Sequence, residues 1–104
     1  WAKLGLLYMH KGNWNGEQVL DSTWINYTST PTNTSEGTYG AQFYLNAEGY
    51  FPNVPRDLFY CSGFQGQFVF IIPSRGLTIV RMGLKGEQDF DIDRFLKQVI
   101  ASVN

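Results

Sequence analysis

The chain has few of the side chains on which metal binding and covalent catalysis depend. It contains one cysteine, Cys61, and one histidine, His10. A single cysteine excludes an internal disulfide and any cysteine-rich zinc site. A reactive thiol or hydroxyl would also need a neighbouring base, and no second histidine is present to serve. We therefore expect Cys61 to be a partly buried small residue and His10 to lie at the surface near a helix end, with no metal and no cofactor.

The chain also has no large excess of positive or negative charge and no long hydrophobic run. The net charge is −1 and the eight basic residues are scattered along the chain. Without a stripe of cations, neither nucleic acid nor an anionic membrane is an expected partner. The apolar runs are too short to span a bilayer. A composition that is 43% apolar and 16% aromatic instead predicts one globular unit with a modest core.

The first quarter of the chain has helical patterning. Apolar residues at helical spacing predict a helix that begins at Trp1 and ends near Gly12. Asp21 is a suitable N-cap for a short second helix, so residues 1–28 are predicted to be mainly helical. Residues 29–38 are rich in Thr, Ser, Asn, Pro and Gly, which predicts an exposed loop.

The middle of the chain has strand patterning, and residues 39–83 predict an antiparallel sheet of about three strands. Tyr39–Asn46 alternates apolar and polar residues, as a half-buried strand does. Gln67–Ile72 and Leu77–Met82 are apolar on both faces, which is typical of strands covered on two sides. The tight turn at residues 73–76 predicts that they form a hairpin.

The remaining segments complete an α+β prediction. Residues 47–57 are predicted to form a loop long enough to act as a rim or lid. Asp91 can cap a C-terminal helix over residues 91–104, whose apolar stripe would pack on one face of the sheet. Because the chain enters a helix directly at Trp1, we expect residues 1–104 to be a single C-terminal part of a longer polypeptide. That polypeptide would cover the other sheet face.

Several short motifs occur in an order that supports this expectation. They are Trp1–Tyr8 (Trp-Ala-Lys-Leu-Gly-Leu-Leu-Tyr), Gly12–Leu20 with Asp21 and Trp24 after it, Tyr39-Gly40, Ser62–Gln67, Ile72–Arg75 and Leu77–Arg81. In this order and spacing the chain resembles the C-terminal part of the serine β-lactamase-like hydrolases. That group includes class C β-lactamases, related esterases and the 6-aminohexanoate-dimer hydrolases. The resemblance implies a part of the β-lactamase/transpeptidase-like fold. It slightly favours a periplasmic or secreted location, which the sequence itself leaves open.

The resemblance also implies that the nucleophile lies elsewhere. In that family a Ser-x-x-Lys helix supplies the nucleophilic serine and its lysine, and no serine of this chain is followed three residues later by lysine. The tyrosine that assists proton transfer is likewise expected outside the chain. The family's Lys/His-Thr/x-Gly triplet corresponds to Cys61-Ser62-Gly63, which lacks the cation. This departure favours the esterase and amidase branch over an efficient lactamase.

The site residues follow from the same resemblance. The backbone N–H of Phe64 would be one donor of an oxyanion hole, and the substrate would contact Cys61, Ser62, Gly63 and Gln65. The implied reaction of the parent protein is hydrolysis of a small ester, amide or β-lactam through a serine acyl-enzyme. The chain alone would be inactive.

Other interpretations remain open from the sequence. The turn at residues 63–66 is equally compatible with a plain connection between strands. The whole protein could be a non-catalytic penicillin-recognising or sensor domain, or the chain could be a small α+β interaction module. If the preceding polypeptide is needed for cover, an apolar sheet face should be exposed, and a homodimer or an element swap through that face would follow.

Overall fold

A computed structural model of the protein describes residues 1–85 and 88–103. It has the α+β architecture and the antiparallel pairing predicted from the sequence. The elements in chain order are α1 (Ala2–Met9), β1 (Asn13–Trp14), β2 (Glu17–Gln18), α2 (Ser22–Thr28), β3 (Tyr44–Leu45), β4 (Phe59–Gly63), β5 (Gln67–Ile72), β6 (Leu77–Arg81) and α3 (Ile92–Ser102).

The main sheet has four strands rather than about three, in the order β3-β4-β5-β6, and every neighbouring pair is antiparallel. The predicted β5–β6 hairpin is confirmed. Its connection is a 3₁₀ turn at Pro73–Arg75 that ends at Gly76, whose φ of +60° suits glycine. β1 and β2 form a separate two-stranded hairpin within residues 1–28, which were predicted to be mainly helical.

The prediction of one strand over Tyr39–Asn46 is wrong, because only Tyr44–Leu45 is strand. The chain reverses at Gln42, whose φ is +69°, and the Gly40 N–H donates to the Phe43 carbonyl at 2.8 Å. The alternation in the sequence therefore belongs to a tight reversal followed by a two-residue strand. Period-two patterning alone does not distinguish a long strand from a short hairpin.

Both predicted N-caps are confirmed. The Asp21 carboxylate accepts the backbone N–H of Thr23 at 2.9 Å, and the Asp91 carboxylate accepts that of Arg94 at 3.0 Å. α3 ends at Ser102, and the last residue of the predicted span 91–104 lies outside the described residues. α1 ends at Met9, slightly earlier than predicted.

Side chains on both faces of β5, one of the two inner strands, are covered by other segments of the chain. The expectation of an exposed apolar sheet face is therefore wrong. On one face, Tyr60, Phe68 and Phe70 pack with α3 and the 47–57 loop; on the other, Val69 and Ile71 pack with α1 and the β3 reversal. The helix α1 lies close to the sheet because Gly5 has no side chain. A Cβ there would be 2.4 Å from Thr78 Cγ2.

The 47–57 loop is a packed segment and not a lid. Asn46 is fully buried, and its Nδ2 donates to the carbonyls of Phe51, Val54 and Pro55, each at 3.1 Å. Its Oδ1 accepts the Phe51 N–H at 2.7 Å. The side chains of Phe51 and Val54 enter the core beneath the loop. One buried amide thus holds the loop closed, and it requires partners that only this loop supplies.

Candidate functional site

The strand β4 has an open edge over its second half. β5 pairs with all five residues of β4, but β3 pairs only with Phe59 and Tyr60. From Cys61 to Gly63, no described strand pairs with the edge that faces away from β5. The backbone groups of such an edge can bond to another extended molecule. The sequence-predicted residues Cys61, Ser62 and Gly63 are therefore together on an accessible strand edge.

Phe64 lies at the end of that edge, in the turn that joins β4 to β5. The Gly66 N–H donates to the Gly63 carbonyl at 3.3 Å. The φ of Gln65 is +61° while that of Phe64 is not positive, which is the pattern of a type II turn with Phe64 in its second position. Among the described residues, the Phe64 N–H has no hydrogen-bond acceptor, and its side chain is 87% exposed. Within residues 1–85 and 88–103, the donor predicted for the oxyanion hole is thus unengaged.

The guanidinium group of Arg81 holds this turn against the segment that follows β6. Arg81 Nη1 donates to the carbonyls of Gly66 at 2.6 Å and Lys85 at 2.8 Å, and its guanidinium carbon lies 4.0 Å from the centre of the Phe90 ring. A Cβ on Gly66 would be 2.0 Å from the Lys85 carbonyl oxygen. The turn is therefore packed tightly against the segment after β6. Nothing in the sequence predicted this contact of Arg81, since a lone cation at a strand end gives no signal.

Gln67 adds a second attachment between the same two segments. Its side-chain amide donates to the Gly83 carbonyl and accepts the Gly83 N–H at 3.0 Å. This pairing continues the contact between β5 and the chain beyond β6. Together with Arg81 it restrains the turn that carries Phe64.

Two clefts flank the open edge, and Ser62 lines both. The larger is about 310 Å³ and the smaller about 220 Å³. The larger is lined by Thr38, Tyr44, Leu45, Tyr50, Tyr60 and Ser62. The smaller is lined by Trp1, Cys61, Ser62, Gly63, Gln67, Phe68, Val69 and Met82. Gln65, predicted as a substrate contact, lies in the turn and lines neither cleft.

The titratable candidates have environments that oppose nucleophilic roles. Cys61 is half-buried, and desolvation raises the pKa of its thiol, which keeps the sulfur protonated. His10 is the exposed residue at the C-terminal end of α1, as expected. Within residues 1–85 and 88–103, no three His, Cys, Asp or Glu side chains are grouped so that they could hold a metal ion.

The tyrosine that assists proton transfer is expected outside the chain, yet the chain itself contains one triplet of the family's Tyr-x-Asn type. Tyr44-Leu45-Asn46 has this pattern. Its tyrosine lines the larger cleft, but its asparagine is buried and bonded to the 47–57 loop. Asn46 is therefore structural, and the triplet does not reproduce the arrangement that the family's motif implies.

Comparison with known proteins adds no family assignment, since no protein-family model matches the chain and no curated protein is significantly similar to it. In the part of the chain that the structure describes, every helix is too short or too polar to cross a membrane.

Proposed function

We propose that this chain supplies one half of the active site of a serine hydrolase of the β-lactamase-like type. The observation that carries the proposal is the Phe64 N–H, which is unengaged among the described residues at the end of an open strand edge. A backbone N–H in such a position can stabilise the negative charge that develops on a carbonyl oxygen during acyl transfer.

The rigidity of the turn supports this role. An oxyanion donor is effective when it is held in place before the reaction, because no free energy is then spent on orienting it. The hydrogen bonds from Arg81 to Gly66 and Lys85, and the pairing of Gln67 with Gly83, hold the turn from the side opposite the open edge. We propose that these contacts with neighbouring residues restrain the backbone that carries the Phe64 N–H.

The open edge next to this donor suits a neutral acyl substrate. At Gly63 a Cβ would contact only Gln67, at 3.4 Å, so the glycine is not required by crowding within the chain. We propose that its role is to let the substrate approach the strand. Cys61 and Ser62 offer no cation for a substrate carboxylate. Uncharged esters and amides are therefore the preferred substrate class in this proposal.

The catalytic serine and its base come from polypeptide outside residues 1–104. In this proposal, that polypeptide packs against an apolar patch that contains Leu4 of α1 and Val19, the residue after β2, and it leaves the open edge of β4 free for the substrate. Its serine attacks the carbonyl held by the Phe64 N–H and by a second donor of its own. Acyl transfer to the serine and then to water completes the reaction.

The experiment is activity-based labelling of the protein that includes the residues preceding Trp1. We expect a fluorophosphonate probe to label one serine upstream of Trp1, and the same protein to hydrolyse 4-nitrophenyl acetate. The 104-residue chain alone should do neither. Labelling of a serine within the chain, or no labelling of the longer protein, would refute the proposal.

The same samples separate the two alternatives. A penicillin probe that forms a stable adduct without turnover would indicate a non-catalytic recognition domain. A longer protein without any reactive serine, together with a monomeric and soluble 104-residue chain, would indicate an interaction module. Light scattering of the chain alone provides the second measurement.

A further inference from the structure

The larger cleft has a wall of ordered aromatic rings. Tyr44 stacks on Tyr60, with ring centres 5.5 Å apart and planes at 24°, and Tyr39 meets Tyr44 edge-on at 5.1 Å. Tyr60 is only 5% exposed and also contacts the Phe51 ring at 5.6 Å. Tyr50, which is 60% exposed, also lines the cleft. The ring of Tyr44 is therefore held at a set angle, unlike that of an isolated surface tyrosine.

The chemistry of the lining favours an uncharged, flat ligand. The lining residues are tyrosines, a leucine, a threonine and a serine, so no charged side chain is among them. Thr38 Oγ1 already donates to the Ser35 carbonyl at 2.6 Å. An ion would lose hydration here without gaining a countercharge. Aromatic rings, by contrast, gain offset-stacked or edge-to-face contacts with such walls.

The cleft reaches Ser62, two residues before the proposed oxyanion donor, although Phe64 itself does not line it. Tyr60, Ser62 and Phe64 are alternate residues, and each two-residue step along a strand advances about 7 Å. Ser62 therefore joins the cleft to the position of the reacting carbonyl. A volume of about 310 Å³ is within the range of small-molecule pockets.

We propose that this cleft binds an uncharged aromatic ring of the substrate, as in an aryl ester or an anilide. The proposal rests on the proposed function for its link to catalysis, but ring binding itself needs only residues of this chain. Tyr44 and Tyr50 hold the ring, and the attached carbonyl extends past Ser62 toward Phe64.

The test is titration of the 104-residue chain with acetanilide, followed by NMR of tyrosine rings carrying a ¹³C label. We expect shifts at Tyr44 and Tyr50, and an apparent Kd in the millimolar range, as suits a ligand this small. N-methylacetamide, which lacks the ring, and N-cyclohexylacetamide, which has a saturated ring, should bind several-fold more weakly. Equal binding of all three amides would overturn the proposal. Stronger binding of the methyl glycoside of N-acetylglucosamine would also overturn it, in favour of a sugar site.

Matched variants locate the effect. Replacing Tyr44 with Leu should weaken acetanilide binding roughly 2- to 10-fold, the range expected for one aromatic pair. Tyr44→Phe should bind almost as well as the original chain, because it keeps the ring. Tyr50→Leu provides a second test if Tyr44→Leu does not fold. Tyr27→Leu, on an exposed tyrosine of α2 outside the cleft, is the control and should change nothing.

The outcomes distinguish this proposal from the proposed function. If acetanilide binds at Tyr44 and Tyr50 but the longer protein hydrolyses no ester, the ring-binding proposal stands and the hydrolase proposal is refuted. Hydrolysis of phenyl and methyl esters at equal kcat/KM, with no shifts at Tyr44 or Tyr50, would sustain the hydrolase and reject the ring site.

Discussion

Replacing Phe64 with proline removes the one donor on which the hydrolase proposal depends. Proline has no N–H, and it favours the second position of a type II turn, where Phe64 lies. Gly63 before it is in a strand, a conformation that the residue preceding a proline prefers. The Phe64 side chain is 87% exposed, so little packing is lost. We expect the free energy of unfolding to change by less than about 0.5 kcal/mol.

The expected effect on catalysis is large by comparison. Loss of one oxyanion donor raises the barrier by about 2.7–4 kcal/mol, which corresponds to a 10²- to 10³-fold fall in kcat. Because the N–H acts on charge that appears in the transition state, KM should change little. The assay is steady-state hydrolysis of 4-nitrophenyl acetate by the protein that includes the polypeptide before Trp1.

Phe64→Leu is the matched control, since it keeps the N–H and changes only the exposed side chain. We expect its kcat to stay within a few-fold of the original value. If Phe64→Pro folds, by circular dichroism and thermal unfolding, and hydrolyses the ester as fast as Phe64→Leu, the Phe64 N–H is not an oxyanion donor. The proposed function would then lose its supporting observation.

Two further predictions concern a buried amide, that of Asn46, and a half-buried thiol, that of Cys61. Asn46→Ala should lower the free energy of unfolding in urea by about 1–3 kcal/mol, because buried backbone groups of the 47–57 loop lose their partners. Asn53→Ala, which loses one exposed hydrogen bond to Asp93, is its control, and equal costs would contradict the argument. Burial raises the pKa of Cys61, so the folded chain holds the thiol proton more tightly than the unfolded chain. The retained thiol proton stabilises the folded chain fully at pH values below the pKa that Cys61 has in the unfolded chain. This stabilisation is lost as the pH rises through the higher pKa that Cys61 has in the folded chain. Iodoacetamide should accordingly modify Cys61 faster in urea than in the folded chain at the same mildly alkaline pH. Equal rates would contradict this prediction.

Local sequence patterns were sufficient for much of the fold. The caps Asp21 and Asp91, the apolar stripe of α3 and the β5–β6 hairpin were all predictable, because each depends on residues within a few positions of one another. The α+β class followed from these elements. Their boundaries were less accurate where the last turn or strand residue depends on distant packing.

The reversal at Gln42 shows where local patterning failed. Phe43 and Leu45 are both buried, as the alternation suggested, but they reach the core from a two-residue strand. Asn46, the residue that follows this strand, is buried and bonds to partners that are five to nine residues away. A polar residue with such partners is indistinguishable in sequence from a surface asparagine.

The sequence by itself determined the helix caps, the apolar strands and the glycine-rich turn, since these follow from backbone preferences and short-range periodicity. Only the tertiary structure decided that β3 stops short of Cys61, that Arg81 restrains the turn from behind and that three tyrosines enclose a cleft. Those features arise where segments far apart in the chain come into contact. The pattern of residues within one strand does not indicate whether a second strand will pair with its edge.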